Sequence, residues 1–257
     1  ASGWYDSIQY MIINSDSNTN VYYTVNGDVP DTNDFLYTDT LWIDSTTVLS
    51  IRSFNNNNFL PSQVIDRTFF INEENHNLPV FSIITDSLNL WDWDTGIYVM
   101  GPNANTTQYP FFGANFWQKW SRWSRLEFFD SSRVKQAEEH LDLEIHGGYS
   151  RSAPQKSFRL DFKSRYTGDL EYPLFTNKGY INKFNNINLR NGGNRRDQII
   201  KDAFLSILAK ETNIDILGYE PCLVYLNGKY WGLYGIREKG DEKYIESNHF
   251  LSPDSIN

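Results

Sequence analysis

Two short runs of polar–apolar alternation, "LDLEIH" over residues 141–146 and "KSFRLDF" over 156–162, stand on either side of the glycine-bearing turn "GGYSRSAPQ". Strand side chains point to opposite faces in turn, so Leu141, Leu143 and Ile145 share one face, as do Phe158, Leu160 and Phe162. Both runs predict half-buried strands, because the apolar face of a helix recurs every three or four residues instead. Strand parity also puts Lys156 on the apolar face with Phe158 and Leu160. A buried ammonium without a partner is costly, so this lysine must either snorkel out at the strand end or meet an anion.

The 257 residues are enough for two domains of ordinary size. From Val21 to Asn72 the chain reads as short strands between turns: "VYYTVNG", with Asn26-Gly27 as a hairpin signal, then "TTVLSIRSF" and "VIDRTFFI". This predicts a small immunoglobulin-like β-sandwich over residues 1–75, closed by the polar run "NEENHN", with a second region over 76–257. In that region "LPVFSIITD", "GIYVM" and "SRLEFFD" read as strands, and "YPFFGANFWQKWSRW" as an aromatic stretch packed against them. "WDWD", Trp91 to Asp94, reads as a loop introducing the "GIYVM" strand. "DQIIKDAFLSILAKET" sets Ile200, Ala203, Phe204, Ile207 and Leu208 on one helical stripe, which predicts a helix buried along that face. A hairpin with Asn227-Gly228 at its tip and a closing helix, "GDEKYIESNHF", follow. The fold class expected is α+β, rich in β.

The net charge of -9 argues against a nucleic-acid partner, which needs clustered cations. No apolar run approaches the roughly 20 residues of a membrane span. One cysteine, Cys222, excludes an internal disulfide, and four scattered histidines carry no zinc-site spacing. Aromatics at 16%, with many Asn and Ser, suit a secreted protein.

Glycine turn, lysine-bearing strand, helix, hairpin and possible helix follow one another in the order of the amino-terminal lobe of a protein kinase. Gly147 and Gly148 can present backbone N–H groups to a phosphate, and Arg151 and Lys156 can supply charge. Taken alone, such a turn reads first as a hairpin with solvated cations, since glycine turns are common. Three blocks, "HGGYSRSAPQKSFRLDF", "NINLRNGGNRRDQIIKDAF" and "YLNGKYWGLYGIREKGDEKYI", resemble the CotH family of atypical secreted kinases, over a span from about Leu78 to the end. The resemblance implies the amino-terminal, sheet-plus-helix portion of a kinase-like fold that binds ATP with Mg and phosphorylates Ser on secreted or coat proteins. It makes Lys156 the phosphate-binding lysine and Arg151 a supporting cation. Asp197 becomes the acid that pairs with the lysine, since Asp202 lies on the far side of the helix. Glu238, in the hinge-like block, would line the adenine side of a cleft, or else belong to an ordinary edge strand.

The same resemblance puts the catalytic aspartates beyond Asn257. The chain is therefore expected to be an inactive fragment with no assigned metal ligands, ATP and Mg belonging to the full-length protein. Lys178→Ala, in a looser segment, is expected to leave ATP affinity unchanged where Lys156→Ala removes it. "YYTVNGDVP" and "LSIRSFNNNNFLPSQV" are similar to the chitobiase/hexosaminidase C-terminal-like module, which implies a separately folding spacer. A bacterial protein acting outside the cell or at its surface, on a secreted or surface protein, follows from both resemblances. The alternative is a carbohydrate- or surface-binding structural protein with a non-catalytic kinase-like domain, its aromatic platforms meeting a glycan.

Overall fold

The computed structural model describes residues 1–55, 60–166, 168–192, 201–209 and 212–252. Seven strands make the first region: β1 (Gly3–Tyr5), β2 (Gln9–Met11), β3 (Thr19–Thr24), β4 (Phe35–Leu36), β5 (Leu41–Ile43), β6 (Thr47–Asn55) and β7 (Ile65–Ile71). One sheet runs β1-β7-β6-β3-β4, with β1 parallel to β7, and β2 pairs with β5 in a second. Ile43, Leu49, Phe69 and Ile71 fill the core of the two-sheet module. The Asn26-Gly27 signal does not make a two-residue hairpin. β3 pairs with β4 across a connection of residues 25–34, with Tyr22 opposite Leu36. Thr24 Oγ1 donates to Asp28 O (2.7 Å) and Asn26 Nδ2 to Asp28 Oδ2 (2.7 Å), side-chain bonds that compete with a tight turn.

The second region is built on a closed barrel of seven strands. β8 (Val80–Ile84), β9 (Ser121–Phe129), β10 (Lys135–His146), β11 (Ser157–Phe162), β14 (Asn186–Arg190), β15 (Tyr219–Leu226) and β16 (Lys229–Arg237) join in the order β10-β11-β14-β16-β15-β8-β9, and β9 returns to β10. β12 (Leu170–Glu171) and β13 (Lys183–Phe184) form a small ladder beside it. The β8–β15 pair is parallel and the other barrel pairs are antiparallel. Closure leaves no bare edge, and twelve-residue β10 serves two neighbours at once. The alternation read from sequence sets the register: Leu141, Leu143 and Ile145 face Phe162, Leu160 and Phe158, and all six are buried in the barrel core.

Two local readings are corrected. "GIYVM" is no strand. Ile97 and Tyr98 are buried, but their N–H groups donate to Asn89 O and Leu90 O of the short helix α1 (Ser87–Trp91), which takes the bonds a ladder would need. Asp92, just after α1, accepts from Asp94 N, Thr95 N and Thr95 Oγ1 and so closes a turn. Helix α2 (Lys201–Ala209) forms, but of its predicted stripe Ala203 is buried while Phe204, Ile207 and Leu208 are exposed. α2 touches the barrel through the Ala203–Ser206 line, where Arg237 Nη1 donates to Ser206 Oγ (3.3 Å). Its other apolar residues border an open groove. Helix α3 (Glu242–His249) starts at Asp241, whose carboxylate accepts from Lys243 N and Tyr244 N. Among the described residues no helix is long and apolar enough to cross a membrane.

The two regions share a dry interface. Trp4 stacks on Phe70 with centroids 4.2 Å apart, and Phe70 meets Phe129 and Tyr225 edge-on. Arg125 Nε lies 2.8 Å from Asp66 Oδ2 with both side chains buried, and Arg125 Nη2 donates to Gly27 O (2.7 Å). Gly27, at φ +89°, abuts the hairpin tip between β15 and β16: a Cβ there would stand 2.4 Å from Asn227 Oδ1. That same Asn227 side chain accepts from Thr85 N and donates to Thr85 O.

Candidate functional site

β10 ends at His146, and the chain turns at Gly147, whose φ of +116° favours glycine. Residues Tyr149–Ser152 make one short 3-10 turn before β11 begins. Arg151 braces this loop from inside. Its Nε donates to Gly147 O (2.7 Å) and its Nη1 to Phe116 O (3.1 Å), joining the glycine turn to the aromatic stretch. Lys156 follows parity and points inward, 4% exposed. Its ammonium donates to Arg151 O (2.7 Å) and Ala153 O (3.0 Å) and lies 3.8 Å from the centre of the Phe116 ring. Tyr98 completes the wall: its hydroxyl accepts from Lys156 N (2.9 Å) and Trp231 Nε1 (3.1 Å) and donates to Pro154 O (2.7 Å). Burial pushes that phenol up to about 12. The lysine therefore fixes the turn's carbonyls, and reaching a phosphate would require it to release them.

On the solvent side of the turn lies an open cleft of about 280 Å³, lined by His146, Gly147, Gly148, Tyr149, Ser150, Ser157 and Arg190. Among the described residues no carboxylate lines it. His146 reports its field: burial, then Arg159, Arg190, Arg151 and Lys239, pull the imidazole from its ordinary value down to about 4. Arg159 is paired with Asp161 (3.1 Å) and Lys239 with Asp241 (2.7 Å), and of the cations around His146, Arg190 lines the cleft.

The predicted site residues divide. Gly147, Gly148 and Arg151 meet at this turn with Lys156 beneath it. Glu238 is not among them. It is buried, accepting from Lys178 Nζ (2.6 Å), Gly218 N (2.5 Å) and Asn248 Nδ2 (2.9 Å). Lys178, expected to lie in a looser segment, is buried in a 3-10 turn and is Glu238's ion-pair partner. Asp197 lies outside the described residues. Arg190 and His146 were missed as cleft residues; the sole sequence signal was their position at strand ends beside glycines. A larger groove of about 610 Å³ beside α2 is lined by Phe204, Ile207, Ile216, Leu217 and Tyr219, with no cation among the described lining residues. Among the described residues no three His, Cys, Asp or Glu side chains converge as a metal site would need.

Residues 143–256 match the family model described as CotH kinase protein. The second region thus carries a match to the CotH kinase family over its last two thirds. Residues 1–64, ahead of it, match the family model described as chitobiase/β-hexosaminidase C-terminal domain. No curated protein matches the chain. The CotH match begins at Leu143, inside β10, and not near Leu78; the barrel that holds the CotH region is completed by β8, β9 and the first part of β10 from outside the matched residues.

Proposed function

We propose that the chain is the phosphate-gripping part of a CotH-like protein kinase, which in its complete form transfers phosphate from ATP, with Mg, to Ser of a secreted or surface protein of a bacterium. One observation carries the reading: among the described residues, the cleft at Gly147 and Gly148 is walled by Arg190 and by His146, whose imidazole burial and then nearby cations hold low, with no acid. Such a site favours an anion at a backbone that glycine keeps approachable. Transfer also needs a metal and a positioned base. Among the described residues no carboxylate reaches the cleft, and the chain is expected to bind phosphate chains without turning them over.

Calorimetry with tripolyphosphate and with ATP tests this. The wild-type chain should bind both. Arg190→Met should weaken tripolyphosphate about tenfold, the loss of one charge-assisted contact. Lys229→Met, an exposed cation outside the cleft, should change nothing. Equal affinity in all three proteins would remove the reading.

His146 supplies a second expected result. A bound anion favours the imidazolium, so binding raises the His146 pKa from about 4 and takes up protons. Sulfate, which does not titrate near neutrality, should therefore bind about fivefold tighter at pH 5 than at pH 7. His146→Gln should flatten that profile. In the free protein the folded pKa lies below the unfolded one. The stability it contributes is present above pH about 6.5 and is lost as pH falls toward 4.

The alternative, a glycan- or surface-binding structural protein, is favoured by Tyr10 and Trp42. They stand directly opposite on the β2–β5 ladder, both exposed, with centroids 5.8 Å apart. Retention on insoluble polysaccharide that is lost in Trp42→Ala, together with no phosphate binding, would select it.

A further inference from the structure

Beside the phosphate cleft stands a second surface of different chemistry. Tyr109, Phe111, Phe112, Trp117 and Tyr149 form one cluster of rings: Phe112–Trp117 centroids are 4.9 Å apart, Phe112–Tyr149 6.1 Å, Tyr109–Tyr149 6.4 Å and Tyr109–Phe111 5.7 Å. Tyr109, Phe112 and Tyr149 are 55%, 54% and 54% exposed. Adjacent rings left this far in water form an apolar patch of the kind that marks a binding surface.

The shelf is rigid and keyed to the cleft. Tyr109 OH donates to Tyr149 O (3.1 Å), Trp117 Nε1 donates to Pro110 O (2.9 Å), and Ser152 Oγ also donates to Pro110 O. Arg151 ties Gly147 to Phe116 from beneath. Tyr149 belongs to both surfaces, so the shelf begins where the cleft ends. A ligand lying across it comes next to whatever phosphate the glycine turn holds.

The geometry points to an aromatic side chain of the protein substrate as the occupant, set beside the hydroxyl residue that receives phosphate; this rests on the kinase reading above. Two features select that chemistry. The rings are tilted by 42° between Phe112 and Trp117, 76° between Phe112 and Tyr149 and 90° between Trp117 and Tyr149. They make a notch, which receives a ring edge-to-face, where a sugar or a nucleobase would want a flat stacking face. Two of the polar tips that could read sugar hydroxyls, Tyr109 OH and Trp117 Nε1, are already donating to backbone carbonyls. The neighbouring cleft adds cations that suit an acidic or phosphate-bearing complex.

An array of Ser-centred 11-residue peptides, with Tyr, Phe, Leu, Ala or Lys beside the Ser, probed with the 257-residue chain in saturating tripolyphosphate, tests this. Tyr- and Phe-bearing peptides should be retained about five- to tenfold more than the Ala peptide, the scale of one or two aromatic pairs. Tyr149→Ala and, independently, Phe112→Ser should bring that ratio to near one. Phe112→Ser, outside the cleft and exposed, should keep its melting temperature and its tripolyphosphate affinity. Equal retention of the Ala peptides, or selectivity that survives both substitutions, overturns the proposal. So does a Phe112→Ser variant that weakens ATP but not tripolyphosphate, which would make the shelf a base site, or one that abolishes oligosaccharide binding. Aromatic selectivity without tripolyphosphate binding would sink the kinase reading alone and leave the shelf a peptide site.

Discussion

Lys178→Met should lower the unfolding free energy by about 3–5 kcal/mol, the usual consequence of leaving one half of a buried ion pair unpaired. The ammonium is 2.6 Å from Glu238 Oε2, and it also donates to Ile216 O (2.9 Å) and Asn248 Oδ1 (2.6 Å) above the Tyr244 ring. Both partners are buried, so neither can turn to water. Without the lysine, Glu238 keeps Gly218 N and Asn248 Nδ2 but must hold its charge in a dry site or take up a proton. The pair ties four pieces together: the 3-10 turn Thr176–Lys178, the lead into β15 at Ile216 to Gly218, the end of β16 and helix α3. Urea denaturation should show the loss, and amide exchange should rise first in α3, which has no buried residue of its own. Lys178→Met with Glu238→Leu should recover part of the deficit, as apolar replacement of both partners often does. A single-mutant loss below about 1 kcal/mol would mean that Glu238 is adequately held by its amide donors.

That pair shows where reading the chain stops. Lys178 and Glu238 are 60 residues apart. Nothing local in "LFTNKGY" tells a solvated lysine from a buried one. By contrast, Leu143, Leu160 and Phe158 declared their face, because strand period and burial are both local facts. Lys156 was legible for the same reason, as inward-facing and in need of partners. Its partners among the described residues were not, because they include carbonyls of its own turn and the rings of Tyr98 and Phe116, the latter forty residues earlier. The barrel's closure was invisible too. It depends on β8 pairing in parallel with β15, Val80 beside Leu223, and on β10 bonding on both edges. Alternation says that a strand is half-buried and leaves open which strands flank it. The Asn26-Gly27 dipeptide is the sharpest miss. Its chemistry reads as a hairpin, whereas in the fold the glycine gives Asn227 room to approach from another module.

The second large effect is expected at that junction. A module linked as a spacer should melt by itself, yet residue after residue of this one is engaged across the boundary. Glu127, on β9, accepts from Thr68 N (2.8 Å) and Ser2 Oγ (2.5 Å), and Thr68 Oγ1 meets Ser82 Oγ (2.8 Å). Asp28 Oδ1 accepts from Ser87 N (2.6 Å), and Glu73 from Tyr225 OH (3.0 Å). At the centre, Asp66 has Ser50 Oγ at 2.6 Å from its own module and Arg125 from the other. Burial raises the Asp66 carboxyl above its ordinary value while Arg125 opposes the shift. Arg125→Met removes the opposing cation and should cost about 3–5 kcal/mol at pH 7. The sign with pH follows. The variant's Asp66, its folded pKa raised further above 3.8, is tolerated when neutral. The deficit should therefore be least near pH 4 and grow as pH rises through the folded pKa. Scanning calorimetry should give one transition for the wild type, spanning both modules. In Arg125→Met it should give either one transition at lower temperature or two, with the sandwich melting first. Two transitions already in the wild type, with the lower one unmoved by Arg125→Met, would show that the buried pair does not couple the modules and that the sandwich folds on its own.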